Sequence, residues 1–447
     1  MKVYRKQYLF CFFASLGQIL FGYTAGWPAQ IVAKLRDPDQ FPEAPSDLEV
    51  NWMVSSTVLG AAVGAIAFSS ISNTLGRKPY LIVGGLGYSL SYLGTALIKS
   101  IAGLLVFRVF TGVSIAMLYT LSFVYIGEIA STEIRGTLLG TAAVYVNIGF
   151  LLAYTTGGYM SYQAVNYLPM AIGIVFLGGI LCAPETPIYH IIQDREEEAK
   201  AVLISLNRKE DAEKISQLKT EVQESMTKQK WKALFTVKCN RRALVITVIL
   251  NMLVQFSGPI IMGAYTTMVF EMAGSSVTPF IGTIIIGVVQ VLSGIITPVF
   301  IERCGRRILL MISTSLAGLS LLALAIYLYL YDIGHPVIAQ IKWMPLVVFI
   351  IYCFTYTFGF GSLPSALMGE MFEMNVRSAG SSIVMSSSYF AGVITVMSFG
   401  YIITSVGIYV AIIIFSMVCF VAFVFTIFFV PETKGKSLIE VQKMLGR

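Results

Sequence analysis

Long apolar runs, separated by short polar segments, follow one another along the whole chain. Six runs lie at about 8–30, 51–71, 79–98, 101–126, 136–157 and 165–182, and six more at about 243–267, 277–300, 308–331, 344–368, 378–403 and 407–430. Each run has about the 20 residues that a helix needs to cross a bilayer. Backbone groups in hydrocarbon must be satisfied within their own segment, so the runs are predicted to be helices. The pattern predicts an all-α polytopic membrane protein with twelve transmembrane helices in two six-helix halves.

The polar segment between the two sets of runs divides the chain into four parts. We expect an N-terminal half at 1–183, a linker at 184–242, a C-terminal half at 243–430 and a tail at 431–447. The linker holds 22 of the 55 formal charges, and we expect short amphipathic surface helices in it at 194–200 and 215–230. Of the 447 residues, 12% are charged, about half the usual share in a soluble protein. A soluble enzyme with a membrane anchor is therefore excluded.

The distribution of Lys and Arg predicts the orientation of the chain. If both termini lie in the cytosol, the cytosolic segments hold 26 Lys and Arg residues and the outer segments hold four. Cytosolic loops of membrane proteins are enriched in positive charge, so this ratio places both termini in the cytosol. We expect a multi-pass protein of the cell membrane, surrounded by the lipid bilayer.

Three motifs occur twice, in the same order and each at the cytosolic end of a predicted span. They are Gly76-Arg77-Lys78 and Gly305-Arg306-Arg307, Gly127-Glu128 and Gly369-Glu370, and Pro184-Glu185-Thr186 and Pro431-Glu432-Thr433. The repeats predict two halves in parallel orientation. Two such halves that face each other form a cavity near the middle of the membrane, and in alternating-access carriers this cavity opens to either side.

The repeated charges are candidates for latches between neighbouring helices. Glycine allows tight turns, and the arginine side chains in these turns can pair with Glu128 and Glu370. Such pairs would have to loosen when the cavity opens to the cytosol. Ordinary positive anchors are the alternative role, but a glutamate seven residues before an arginine in both halves favours latches. The candidate latch residues are Arg77, Glu128, Arg135, Glu302, Arg306, Glu370 and Arg377.

Arg108 is the one Lys or Arg residue inside a predicted span. A charge in hydrocarbon is costly and is usually functional or paired. Because Arg108 lies near the outer end of the fourth run, its side chain could instead reach the membrane interface. No acidic partner is evident in the outer half of any span.

The other polar groups inside the spans are neutral amides, hydroxyls and aromatic rings. They suit a polyhydroxylated neutral ligand, because amides bind hydroxyls and rings pack against C–H faces. Hydrogen bonding between helices is the alternative role for each of them. Gln255 and Gln290 are the strongest candidates, since a buried amide without partners is costly.

Acidic groups are absent from the central third of every predicted span. Ion-coupled carriers usually keep a carboxylate there, so the sequence favours passive transport. The chain also has only two histidines and no nucleotide-binding loop or catalytic set. We therefore expect no enzymatic activity, no cofactor and no metal site.

The assembled motifs resemble the sugar-porter family of the major facilitator superfamily, and most of all its insect facilitated-trehalose-transporter branch. The resemblance rests on Phe21-Gly22-Tyr23, Gly76-Arg77-Lys78, Arg108, 125–129 with 135–138, Asn147-Ile148-Gly149, 184–187, 255–258 and 431–436. It implies the major facilitator fold and alternating access, with a hexose or disaccharide bound midway. It also implies sugar contacts at Gln255 and Gln290 and an outer gate at Tyr265. Thr24 stands where proton-coupled members carry Asp.

Several positions depart from the family pattern. Val254, Ile260 and Ala143 replace a glutamine, an asparagine and a glutamine that bind sugar in the family. The resulting candidate substrate-binding residues are Gln255, Gln290, Asn147, Tyr265, Ser365, Ser388 and Tyr389.

The leading hypothesis is a facilitative transporter (uniporter) of a sugar or polyol, such as trehalose or a hexose. The alternatives are a proton-coupled sugar symporter and a non-transporting sugar sensor. We expect a monomer whose partner is a small neutral sugar or polyol, with no nucleic acid involved.

Overall fold

The structure, a computed structural model, describes residues 4–69, 76–213, 215–216, 219–220, 231–272, 274, 277–372, 374–436 and 438–446. Six long helices form the N-terminal half. They are α1 (Arg5–Gly26), α2 (Asp47–Ser69), α3 (Arg77–Leu97), α4 (Ile101–Ile129), α5 (Thr132–Tyr159) and α6 (Tyr162–Cys182). Within this half α1 packs along α5, α2 along α4, and α3 along α4 and α6.

Six further long helices form the C-terminal half, two of them in three segments each. They are α7 (Lys238–Phe256, Pro259–Ala264 and Thr266–Met272), α8 (Pro279–Cys304), α9 (Arg306–Asp332), α10 (Met344–Thr355, Tyr356–Phe360 and Leu363–Met371), α11 (Met374–Ser405) and α12 (Ile408–Phe429). In this half α7 packs along α11, and α9 along α10 and α12.

The fold class predicted from the apolar runs is confirmed. Among the described residues, eleven helices are long and apolar enough to cross a membrane. The twelfth, α2, carries Asp47 and Glu49 in its first turn and lies against α4. The structure corrects some helix ends: the first run stops at Gly26, and the short helix Pro28–Leu35 follows it.

The two segmented helices break where the local sequence disfavours a regular helix. Gly258 has φ +80, a left-handed conformation that favours glycine, and Pro259 starts the next segment of α7. In α10, a five-residue π-helical segment ends at Phe360, and Pro364 lies in the first turn of the next segment. Both breaks lie inside the membrane-spanning region, where an irregular backbone is tolerated only when it is buried in protein or lines a cavity.

Both ends of the chain lie at one face of the bundle, which we call the termini face. There Gln7 of α1 donates to the carbonyl of Leu206 in the linker (2.8 Å), and Gln442 of the tail helix Leu438–Gly446 donates to the carbonyl of Met371 (2.6 Å). The turns that precede α3 and α9 lie at the same face. We call the opposite face, where residues 27–46 connect α1 to α2, the far face.

The described part of the linker folds as short helices, three of them beside the N-terminal half and the last, Trp231–Thr236, against α7 and α11 of the C-terminal half. They are Pro187–Ile192, Glu196–Ser205, Lys209–Glu213 and Trp231–Thr236. The helix expected at 194–200 is therefore present, displaced towards 205, whereas most of the segment 215–230 lies outside the described residues. Arg208 donates to the carbonyl of Glu128 at 2.8 Å and so ties the linker to the end of α4.

Candidate functional site

The turn before α3 brings four charged residues together. Gly76 has φ +98, and a Cβ at this position would clash with the carboxylate of Glu185. That carboxylate accepts hydrogen bonds from the backbone N–H groups of Arg77 (3.2 Å) and Lys78 (3.0 Å). Such an anion satisfies unpaired donors at a helix N-terminus. The guanidinium of Arg77 then reaches Glu128 of α4 at 3.1 Å.

The turn before α9 repeats this arrangement in the C-terminal half. Gly305 has φ +86, and Glu432 accepts from the backbone N–H groups of Arg306 (3.0 Å) and Arg307 (3.1 Å). The guanidinium of Arg306 reaches Glu370 of α10 at 2.8 Å. The internal repeat in the sequence is therefore a repeat of side-chain contacts as well.

The two ion pairs differ in burial. The side chains of Arg77 and Glu128 are 7% and 11% exposed, whereas those of Arg306 and Glu370 are 22% and 30% exposed. Each pair joins two helices of the same half. The predicted latch residues Arg77, Glu128, Arg306 and Glu370 thus form two pairs within the halves.

The other predicted latch residues are placed differently. Arg135 donates to the carbonyl of Ala130 at 3.4 Å, at the turn before α5. The side chains of Glu302 and Arg377 lie outside the described part of the chain. Glu185 and Glu432 are not among the predicted site residues, although each of them lies in the repeated Pro-Glu-Thr motif.

The surroundings of Glu432 favour its charged form. Burial opposes ionisation, but hydrogen bonds from the backbone N–H groups of Lys434, Arg306 and Arg307 hold the pKa of this carboxyl below its usual value. Glu432 is therefore a charged cap on α9 at neutral pH.

Contacts between the two halves close the far face. Tyr265 of α7 donates its hydroxyl to the side-chain oxygen of Asn51 of α2 at 2.7 Å. Tyr154 of α5 donates to the carbonyl of Gly263 of α7 at 3.1 Å. We call these residues, together with Gly400 of α11, which packs against Asn51, the far-face seal.

The helices stand apart at the termini face. A Cβ added at Gly136 or Gly140 of α5, or at Gly369 of α10, would meet no atom within 4 Å. α5 and α8 meet near the middle of the membrane, where Asn147 packs against Gly294. Among the described residues, the halves therefore meet at the far face and near the middle of the membrane, and the termini face is their open side.

Two glutamines occupy the middle of the C-terminal half. Gln255, one turn before the break in α7, donates to the hydroxyl of Ser388 of α11 at 3.0 Å. The side-chain oxygens of Gln255 and of Gln290 of α8 are enclosed and accept no hydrogen bond from a described residue. A buried acceptor without a donor is costly, so both oxygens are suited to a ligand that donates hydrogen bonds.

The remaining substrate-binding candidates lie in different places. Tyr389, next to Ser388, is partly buried in the middle of α11, and Asn147 lies at the seam between α5 and α8. Tyr265 belongs to the far-face seal. Ser365 is exposed on the last segment of α10, one turn before Gly369 and so on the open side of the bundle.

Arg108 is enclosed inside the N-terminal half and does not reach the membrane interface. It is 1% exposed, and its guanidinium lies 4.3 Å from the centre of the Trp27 ring, over its face. This is a cation–π contact. Arg108 also donates to the carbonyl of Thr24 and the hydroxyl of Tyr92, both at 3.5 Å. The interfacial alternative for Arg108 is therefore wrong.

Comparison with known proteins places these observations in a family. The chain matches the family described as "Sugar (and other) transporter" over residues 10–445. It is 30% identical to the facilitated trehalose transporter Tret1 of Culex quinquefasciatus over 448 residues, which cover 99% of this chain and 86% of that protein. It is also 30% identical over 439 residues to Tret1 of Aedes aegypti, covering 97% of this chain and 54% of that protein. The chain thus spans about half the length of some of the curated relatives that it matches.

Solved structures share the fold. The proton:xylose symporter XylE bound to 6-bromo-6-deoxy-D-glucose superposes with a TM-score of 0.80 at 21% identity, covering 99% of both chains. The inward-open conformation of XylE from E. coli superposes with a TM-score of 0.81 at 21% identity, covering 98% of this chain and 99% of that one. With its two six-helix halves, its repeated charged turns and a family match over nearly its whole length, the chain belongs to the sugar (and other) transporter family.

Proposed function

We propose that the protein is a facilitative transporter of a sugar or polyol, such as trehalose or a hexose, that works by alternating access. The enclosed, unpaired side-chain oxygens of Gln255 and Gln290 are the observation that carries the proposal. A ligand with several hydroxyl groups can donate to both of them, and its binding would remove the cost of leaving them unpaired. The similarity to facilitated trehalose transporters supports trehalose as the first candidate.

The absence of acidic residues from the middle of the spans supports passive transport. Thr24, at the position where proton-coupled members carry Asp, uses its hydroxyl in hydrogen bonds with Tyr88 (3.0 Å) and Tyr92 (3.2 Å). These groups do not change charge near neutral pH. Movement down the concentration gradient of the sugar is then the only driving force.

Alternating access would exchange the observed state for one that is open at the far face. The far-face seal would break, and the ends of α4, α5 and α10 would come together at the termini face. Both ion pairs are formed while the termini face is open, so in this proposal the Arg77–Glu128 and Arg306–Glu370 pairs do not loosen as the sequence predicted but hold each half rigid while it rocks. Arg135, which bonds a backbone carbonyl in the open state, would supply a charge for contacts between the halves when the termini face closes.

We further propose that the termini face lies in the cytosol of a cell membrane. The excess of Lys and Arg in the segments on this side supports the orientation. We also propose that the four parts of the chain begin at residues 1, 184, 243 and 431. The protein is proposed to be a monomer.

Counterflow in proteoliposomes tests the proposed function. Vesicles loaded with unlabelled sugar should take up labelled trehalose or glucose transiently, in a saturable manner and without any ion gradient. Gln255→Ala should lower this uptake at least tenfold while the protein still folds, whereas Gln340→Ala, at an exposed amide outside the bundle, should not change it. The absence of counterflow for every sugar in a broad panel would contradict the proposal.

A further inference from the structure

Tyr119 of α4 is held in a fixed position by α1. Its backbone carbonyl accepts a hydrogen bond from the side-chain amide of Gln18 at 3.0 Å. Its ring lies 4.2 Å from the ring of Phe21, at an interplanar angle of 30°. The ring of Phe123, one turn along α4, lies 5.4 Å from the Tyr119 ring at an interplanar angle of 84°. A phenol clamped in this way loses little conformational entropy when it binds a ligand.

The side chain of Tyr119 faces the C-terminal half. It lies near Tyr389 of α11 and Tyr356 of α10. All three tyrosines are only partly buried although they lie in the middle of their helices. Their hydroxyls have no hydrogen-bond partner among the described residues. Each hydroxyl oxygen is also accessible and not enclosed by neighbouring atoms. These hydroxyls therefore line open space between the halves.

The binding residues considered so far are distributed unevenly between the halves. Gln255, Gln290, Ser388 and Tyr389 all belong to the C-terminal half, and Asn147 alone belongs to the N-terminal half. A ligand can drive the rocking of two halves only if its contacts differ between the two states. A sugar held almost entirely by one half would be carried along with that half and would not promote closure. The N-terminal half therefore needs a further contact besides Asn147.

We propose that Tyr119 is a substrate-binding and specificity-determining residue in the N-terminal half. Its ring packs against a C–H face of the sugar and its hydroxyl bonds a sugar hydroxyl on the side opposite Gln255. Ala143 of α5 has no polar side chain, and Tyr119 supplies a polar contact from α4 instead. Gln18 is a positioning residue that acts through the Tyr119 backbone. This inference rests on the proposed function, since it assumes a sugar between the halves.

The equilibrium binding of sugar to the Tyr119→Phe variant tests the inference. Tyr167→Phe is the matched control. Tyr167 is an exposed tyrosine on α6, and the same atom is removed in both variants. Binding of trehalose and glucose to the purified protein in detergent should weaken about fivefold to tenfold in Tyr119→Phe and stay unchanged in the control. The unfolding temperature without ligand should be equal in both variants.

A panel of monodeoxy sugars shows whether the contact is direct. One deoxy analogue, lacking the hydroxyl that bonds Tyr119, should bind wild type and Tyr119→Phe equally, while the other analogues still distinguish them. Tyr119→Phe binding every sugar as tightly as wild type would overturn the inference, as would an equal loss for every analogue. Suppose that wild type binds and transports sugar and that the Gln255→Ala variant does not. Unchanged sugar binding by the Tyr119→Phe variant would then refute this inference and leave the proposed function standing. If wild type binds no sugar at all, the proposed function fails with it.

Discussion

The hydroxyl of Tyr265 in the C-terminal half donates to the side-chain oxygen of Asn51 in the N-terminal half at 2.7 Å. This bond joins residues 214 positions apart and holds the far face closed. The Tyr265 ring also packs 5.2 Å from Phe399 of α11. The hydroxyl and the ring therefore contribute separately, and they can be separated by substitution.

Tyr265→Phe should shift the protein towards the state that is open at the far face. The variant keeps the ring but loses one hydrogen bond, worth about 1 kcal/mol, so the population of that state should rise about fivefold. Ala264 is 2% exposed in the closed state and can serve as the reporter. In a background without the six native cysteines, Ala264→Cys should react about fivefold faster with a membrane-impermeant thiol reagent. Equal reaction rates with and without the hydroxyl would show that the bond does not hold the seal.

Gly400→Ala should hinder closure of the far face by steric clash. A Cβ at this position would overlap the side chain of Asn51. The variant should therefore transport sugar more slowly. When it is combined with Ala264→Cys, the introduced thiol should react faster with the same reagent. Gly178→Ala is the matched control, because a Cβ there meets no atom within 4 Å.

A double variant checks the cause of the Gly400→Ala effect. Asn51→Ala removes the clashing atoms, so Gly400→Ala combined with Asn51→Ala should behave like Asn51→Ala alone. An additive effect of the two substitutions would mean that Gly400 acts through some other contact.

Arg77→Ala should destabilise the protein more than Arg306→Ala does. The Arg77–Glu128 pair is 7% and 11% exposed, so removal of Arg77 leaves an enclosed carboxylate without its partner and costs about 3 kcal/mol. The Arg306–Glu370 pair is more exposed, and its loss should cost about 1 kcal/mol. Denaturant unfolding of the purified protein would measure both. Arg195→Ala, in an exposed linker pair, should leave the unfolding midpoint unchanged; equal effects at Arg77 and Arg306 would refute the burial argument.

Glu432 should make stability depend on acidity. Its pKa in the folded protein is below the ordinary value of 4.5, so the charged carboxyl stabilises the fold fully above pH 4.5. This contribution is lost as the pH falls through the folded-state pKa. Glu432→Gln should therefore lower the unfolding temperature at pH 7, and its difference from wild type should shrink as the pH falls below 4.5. A difference that is constant from pH 7 to pH 3 would show that the charge of Glu432 does not matter.

The sequence predicts the helices and the repeated ion pairs because both leave local signals. A run of apolar residues defines a membrane helix by its length, and the pairing of Arg77 with Glu128 follows from a motif that recurs at Arg306 and Glu370. The ends of helices are less predictable, as at Gly258 and Pro259, because tertiary packing decides whether a turn continues.

Contacts between distant helices could not be predicted in the same way. Trp27 covers Arg108 and Asn51 meets Tyr265 only because whole helices are rotated to face one another. Apolar periodicity is weak in helices that are apolar on every side, so the sequence does not define which face of α4 carries Tyr119 towards the other half. In the sequence, Tyr119 is one of many neutral polar residues within the spans. Only its position between α1 and the C-terminal half distinguishes it from the others.

Sugar flux with and without a pH gradient tests the central claim most directly. Proteoliposomes that contain the protein and a saturating labelled trehalose or glucose gradient should equilibrate the sugar to equal concentrations on both sides. An imposed proton gradient should change neither the endpoint nor the initial rate. Accumulation of the sugar above its external concentration when the outside is acidified, or no flux above that of protein-free vesicles, would contradict passive sugar transport.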